Sequence, residues 1–142
     1  MRVFLDANIL FSAAKSDGAV RALLRLLVER GHEAVADAYV VAEARRNLDA
    51  KGPQALHVLD ALLSHIRVTA ATSPAADAAG PGPSGELAWL PEKDRPVLAA
   101  AMRLGCDALV TGDRTHFGAG YGRVFGGVAI HSPRSLAERI LA

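Results

Sequence analysis

The chain lacks most of what staples or anchors a small protein. It has one cysteine, Cys106, in 142 residues. That excludes an intramolecular disulfide and any zinc site built on paired thiolates. Set in an apolar helix-to-strand stretch, it reads as an inert buried thiol. Aromatic residues make up 5% of the chain, too few for a base-stacking platform that grips single strands. Net charge is +1, from 16 basic and 15 acidic residues, so no overall basic field draws the protein onto nucleic acid. Lysine is scarce, 3 against 13 arginines; arginine forks suit phosphates, and a GC-rich coding bias produces the same ratio. No apolar run approaches the length of a membrane span. The start, MRVFLDANIL, has too short an apolar run and too early an acid for a signal peptide. The expectation is a cytoplasmic protein without membrane contact.

What is there favours a packed helical and stranded core. Half the residues are apolar (51%), and 28 alanines and 18 leucines make up a third of the chain. The length is one domain's worth, residues 1–142. Short apolar runs at 2–6, 33–36, 66–70, 108–111 and 128–130 read as strands. Between them lie helical patterns. One runs from Asn8 to Ala14. A second is capped by Asp17, carries Val20, Leu23, Leu24, Leu27 and Val28, and stops at Gly31. A third starts at Asp37 and runs to about Asp49, and a fourth opens at Pro53 with Leu56, Leu59, Leu62 and Leu63. Pro91 or Pro96 opens a fifth, and Ser132-Pro133 caps the last. Residues 71–85 (ATSPAADAAGPGPSG) read as a long Pro/Gly-rich loop, either a lid beside a site or a solvated insertion. Short strands alternating with helices imply an α/β fold with a mostly parallel sheet of five strands. Such folds bind ligands beyond the carboxyl ends of the strands, where strand order reverses.

Two of these strands end in an acid: RVFL runs into Asp6 and ALVTG into Asp113. Glu43 lies on a helical stripe with Tyr39, Val40 and Asn47. Asp94 stands at a helix start, where an acid complements the helix dipole. Each acid alone is explained by a turn, a cap or a solvated face. Four carboxylates gathered at one end of a sheet would repel one another by roughly several kcal/mol unless a cation neutralised them. An all-oxygen set suits Mg²⁺ or Mn²⁺. Such an ion lowers the pKa of a water and neutralises charge on a phosphoryl group.

MRVFLDANIL, DAYVVAEARRNL and KDRPVLAAAMRLGCDALVTGDRTHF resemble, in order and spacing, the successive motifs of the PIN-domain ribonucleases, most closely the prokaryotic toxin-type (VapC-like) proteins. The resemblance implies a three-layer PIN-like fold whose first strand lies beside the fourth. It implies that Asp6, Glu43, Asp94 and Asp113 are the catalytic, metal-holding acids, with Asn8 and Thr111 supporting them. It further implies Mg²⁺- or Mn²⁺-dependent hydrolysis of RNA to 5′-phosphate and 3′-hydroxyl ends, a small antitoxin partner and a homodimer. Arg45, Arg46, Arg95 and Arg114 neighbour the acids and read either as backbone-holding or as ordinary solvated arginines. Asp37 stands where the family usually has Ser or Thr. His116 reads as a surface or phosphate-contacting residue more readily than as a proton shuttle.

Other classes fit poorly. A phosphate-accepting signalling domain needs an acid after the third strand and a lysine after the fifth; the third strand here runs into ATSPAAD, and no lysine follows Lys93. A haloacid-dehalogenase phosphatase needs a second Asp where the chain reads DANIL. A catalytically inactive RNA- or protein-binding module and an RNA-processing nuclease that is not a toxin stay open as alternatives.

Overall fold

The computed structural model describes residues 1–71 and 84–142. The expectation of a long loop over 71–85 lies, apart from its ends, outside the described residues. The centre of the sheet is β1 (Arg2–Leu5), whose Val3, Phe4 and Leu5 are fully buried. Three consecutive buried residues mean that both faces of the strand are covered, the signature of a central parallel strand. On one side β1 pairs in parallel with β2 (Glu33–Asp37), which pairs with β3 (Arg67–Thr69). On the other it pairs with β4 (Ala108–Val110), with Val3 opposite Ala108 and Leu5 opposite Val110, and β4 pairs with β6 (Val128–His131). The order is β3-β2-β1-β4-β6-β5, so the chain winds one way from β1 and the other way from β4. The switch point is therefore the crevice beyond Leu5 and Val110.

The sheet has six strands where five were expected. The addition is β5 (Val124–Phe125), antiparallel to β6 at the sheet edge. Gly126 and Gly127 join the two with φ of 55° and 84°, the positive values that a two-residue hairpin of matching twist requires. A two-residue strand has no periodicity to read; the Gly-Gly pair between apolar residues was its only signal.

Helices start at the capping residues that the sequence offers, with one exception. Asp6 caps α1 (Ala7–Lys15), its Oδ1 accepting from the Ala7 N–H at 2.7 Å. Asp37 caps α3 (Ala38–Lys51) by accepting from the Val40 N–H at 3.1 Å. Ser132 caps α7 (Pro133–Leu141) through the Ser135 N–H. Asp17 was expected to cap α2 (Ala19–Glu29), but the helix begins at Gly18 without a side-chain cap. Asp17 instead faces the guanidinium groups of Arg21 and Arg25, at 3.8 and 3.5 Å, because an i,i+4 arginine competes for the same carboxylate. A single 3₁₀ turn at Pro53–Ala55 leads into α4 (Leu56–Leu63). Both candidate prolines act ahead of α5 (Arg95–Arg103): Pro91 precedes the turn Glu92–Asp94, and Pro96 lies in the first helical turn. The short α6 (Arg114–Phe117) follows β4.

One apolar core holds these parts together. α1 packs against α2, α3 and α4, with Ile9, Leu10, Leu27, Leu48 and Leu59 fully buried among them. Cys106 is buried, and burial pushes its thiol up to about 11, the inert state expected of it. Trp89 closes the far side of β4 and β6, stacking on Phe125 at 4.8 Å and meeting Phe117 edge-on at 6.2 Å. It fits because residue 120 has no side chain: a Cβ on Gly120 would stand 2.5 Å from the indole and 3.1 Å from Ile130 Cδ1. Gly120→Ala is therefore expected to cost about 1–3 kcal/mol, read as a lower urea midpoint at unchanged slope. Gly85→Ala, which meets nothing within 4 Å, should leave the midpoint where it is.

Candidate active site

The site grows from the two central strands. Asp6 follows β1 directly, and its N–H donates to Val110 O of β4 at 3.1 Å. Its carboxyl is 6% exposed and fully engaged. Oδ1 takes the Ala7 N–H, while Oδ2 accepts from Thr111 Oγ1 at 2.8 Å and from Asn8 Nδ2 at 3.2 Å. Thr111 follows β4, is fully buried, and also accepts from Asn8 Nδ2 and from the Asp113 N–H, both at 3.2 Å. Asn8 Oδ1 accepts from the Gly112 N–H at 2.8 Å. Asn8 and Thr111 thus lock the end of β1 to the loop after β4. Burial pushes the Asp6 carboxyl up from 3.8 to about 6; the hydrogen bonds from Thr111 and Ala7 oppose this, and the charges of Glu43 and Asp94 add to it.

Asp113, Asp94 and His116 form the second half. Asp113 caps α6 with Oδ1, which accepts from the His116 N–H at 3.1 Å. One turn of helix carries the His116 ring back over it, so that Nδ1 lies 2.9 Å from Asp113 Oδ2 and 2.9 Å from Asp94 Oδ2. Both His116 Nδ1 and Asp94 Oδ2 are shielded from solvent, and their contact lowers the Asp94 pKa through charge and hydrogen bonding. Asp94 holds the cap position of α5 but makes no side-chain cap bond; its carboxylate turns to His116 instead. Its pKa is raised, by burial first and by Asp113 as well, with His116 and Lys93 opposing. His116, expected as a surface or phosphate-contacting residue, is partly exposed and lies beside Asp113 and Asp94, because the three-residue spacing from Asp113 is one helical turn.

Glu43 comes from α3. Its charge raises the pKa of both Asp6 and Tyr39, so it lies within electrostatic reach of both. Tyr39, one helical turn earlier, donates its hydroxyl to Lys93 O at 3.0 Å and ties α3 to the turn that carries Asp94. Of the four sequence-predicted acids, Asp94 and Asp113 stand together with His116, Asp6 feels the charges of Glu43 and Asp94, and Asn8 and Thr111 bind the Asp6 carboxylate while Thr111 accepts from the Asp113 N–H. The arginines divide. Arg45 pairs with Asp60 at 2.7 Å, and Arg95 donates to Leu90 O at 3.0 Å, so both are occupied away from the crevice. Arg46 opposes the rise in the Tyr39 pKa, and Arg114 does the same for Tyr121, so each is within electrostatic reach of a tyrosine that frames the crevice. Tyr121, which sequence reasoning missed, donates its hydroxyl to Thr111 O at 2.8 Å. Its only sequence signal was closeness to Asp113. Asp37 is a buried helix cap, and its Oδ1 is held by the Val40 N–H.

The donor set fits a cation. One atom each from Asp94, Asp113 and His116 lies within 4.8 Å of the other two, and His116 Nδ1 and Asp94 Oδ2 are shielded from solvent. A carboxylate whose pKa burial raises, as at Asp94, is one that a hard divalent ion relieves.

Fold and site together define an α/β domain with an acid cluster at its topological switch point. The family model for the PIN domain matches residues 2–115, and this chain belongs to the PIN-domain family. Its fold is similar to that of VapBC2 from Rickettsia felis, solved bound to a DNA fragment from their promoter. The TM-score there is 0.67 at 19% identity, covering 93% of this chain and 98% of that one. FitAcB from Neisseria gonorrhoeae gives 0.62 at 20%, with the same coverage. VapC20 from Mycobacterium tuberculosis, a toxin that cleaves the sarcin-ricin loop, gives 0.59 at 16%, covering 87% of this chain and 98% of that one. At these identities the likeness is one of fold. No curated protein matches the chain.

A raised carboxyl pKa contributes stability that is present below 3.8 and lost as pH climbs through about 6. Asp6→Asn removes that loss. In metal-free buffer the variant should gain on the wild type by up to about 3 kcal/mol between pH 4 and pH 7.5, measured by urea unfolding. A difference that stays flat with pH would show that the carboxylate is not strained.

Proposed function

We propose that this protein is a divalent-metal-dependent endoribonuclease of the toxin type, hydrolysing RNA phosphodiester bonds at the crevice beyond β1 and β4. The observation that supports this reading is Asp94, Asp113 and His116 within 4.8 Å of one another, close to a buried Asp6 whose pKa the charges of Glu43 and Asp94 raise. Membership of the PIN-domain family supports it. Asp6, Glu43, Asp94 and Asp113 would hold Mg²⁺ or Mn²⁺. The ion supplies Lewis acidity, neutralising charge on the scissile phosphate and lowering the pKa of a water.

The chain's own residues do the rest. Thr111 and Asn8 each donate one hydrogen bond to Asp6, and Asn8 donates to Thr111 as well, so the carboxylate does not swing when charge changes beside it. Arg46 and Arg114 make no ion pair among the described residues and would hold the phosphates that flank the cut. With a net charge of +1 the grip on RNA is weak and falls steeply with salt. The similar structures from Rickettsia felis and Neisseria gonorrhoeae favour a small antitoxin as the protein partner, and a homodimer is proposed with it.

The test is cleavage of total RNA by purified protein with Mg²⁺ or Mn²⁺, mapping new 5′ ends. Wild type should cut, chelation should stop it, and Asp6→Asn or Asp113→Asn should lower the rate at least ~100-fold. Induced expression of the wild type, but not of Asp6→Asn, should arrest growth. RNA binding without cleavage, unchanged in Asp6→Asn, would instead identify a binding module.

A further inference from the structure

Three of the four acids are held by regular structure: Asp6 follows β1, Asp113 comes off the end of β4, and Glu43 rides on α3. Asp94 is different. It ends a segment, residues 84–94, that pairs with no strand among the described residues. We propose that Trp89 is a positioning residue, a spacer that sets where Asp94 stands relative to Asp113 and His116. The inference goes beyond the nuclease reading and rests on it.

Residues 87–95 form one cross-braced turn. The Leu90 N–H donates to Leu87 O at 3.0 Å, and the Asp94 N–H donates to Pro91 O at 2.9 Å. Arg95 reaches back across them, with Nε on Leu90 O at 3.0 Å and Nη2 on Ala88 O at 3.4 Å. Leu90 is buried, and the ring of Pro91 restricts the backbone beside it. A turn braced in this way moves as a body, so whatever fixes Trp89 also fixes Asp94. The indole is fixed on three sides. Its N–H donates to Glu86 O at 2.8 Å, its face stacks on Phe125 at 4.8 Å, and it meets Phe117 edge-on at 6.2 Å.

Phe117 belongs to the other half of the acid cluster. It follows His116, and its N–H donates to Asp113 O at 3.0 Å. The turn Gly118–Gly120 continues from it. A Cβ on Gly120 would stand 2.5 Å from the indole Cη2 and 3.0 Å from Cζ2, so ring and backbone touch without slack. Trp89 therefore bears on the element that carries Asp113 and His116, while its own turn carries Asp94. Tyr39 ties that turn to α3 through Lys93 O at 3.0 Å. The tyrosine fixes the distance of Asp94 from α3, and the tryptophan fixes its distance from α6. Close-packed interiors transmit such displacements rather than absorb them. A shift of about 1 Å in a group that holds a reacting centre costs up to ~100-fold in rate.

The test reads metal binding first. Mn²⁺ affinity is taken from the electron paramagnetic resonance signal of the free ion, and kcat and KM from cleavage of an RNA oligomer with Mn²⁺. Trp89→Leu and Gly120→Ala alter no acid. Each should weaken Mn²⁺ binding and lower kcat at least ~10-fold, with KM for RNA within about threefold of wild type. Trp89→Phe should weaken Mn²⁺ binding at least ~3-fold. Adding Gly120→Ala to Trp89→Phe should restore affinity to within about twofold of wild type, because the methyl fills space that the indole leaves. Leu59→Ala, buried where α1 packs on α4, should lower the urea midpoint and leave Mn²⁺ affinity unchanged. Wild-type affinity in Trp89→Phe would overturn the proposal, even if Trp89→Leu and Gly120→Ala fail to fold. A loss in Leu59→Ala equal to that in Trp89→Leu would overturn it too, since general loosening would then be the cause. In both cases a wild type that binds Mn²⁺ and cuts RNA leaves the nuclease reading standing. A wild type that does neither would sink both.

Discussion

The structure depends on one uncomfortable arrangement: negative charge brought together where little water reaches it. Asp6 is 6% exposed and has Glu43 and Asp94 close enough to raise its pKa further. Such a group would ordinarily be selected out of a core, or would stay protonated. It persists here because the fold offers no alternative placement. β1 is clamped between β2 and β4, and its end cannot move without breaking the central parallel ladder. The charge is then spread over fixed dipoles: the Ala7 N–H, the Thr111 hydroxyl and the Asn8 amide.

Helix starts supply the rest of the compensation. Asp6 caps α1 and Asp113 caps α6, while Asp94 stands at the start of α5. Each carboxylate therefore sits near the positive end of a helix dipole, which favours its ionised form. In Asp113 the two oxygens separate their duties: Oδ1 satisfies the His116 N–H, and Oδ2 faces the crevice. The same residue ends a strand, begins a helix and presents an acid. That economy is why the motif is short and why it sits at the switch point. The tyrosines close the frame, with Tyr39 bound to Lys93 O and Tyr121 to Thr111 O, so four chain segments meet with little freedom at their seams.

Much of this was legible in the chain. Apolar runs such as VFL and ALV can be buried on both faces only as central strands. Asp37 and Ser132 announce helix starts because their side chains reach a free N–H three positions on. Asp17 misled for a physical reason: its exposed carboxylate had two arginines within reach, and the helix began without it. The hairpin of Val124–Phe125 with Val128 was carried by two glycines rather than by a pattern.

The parallel α/β layout was determined by the sequence itself, since period and capping are local properties, while Asp6, Glu43, Asp94 and Asp113 with Asn8 and Thr111 were singled out by the resemblance of three motifs to a family. What only the tertiary structure decided was everything that depends on distance between segments. Arg45 and Arg95 turned away to Asp60 and Leu90 O, while Arg46 and Arg114 stayed within electrostatic reach of Tyr39 and Tyr121. His116 became a member of the cluster because Asp94, 22 positions earlier in the chain, was delivered to within 2.9 Å of its ring by the packing of α5. Charge and hydrogen-bonding capacity are written into each residue type; which groups share a low-dielectric crevice is set by the close packing of the core.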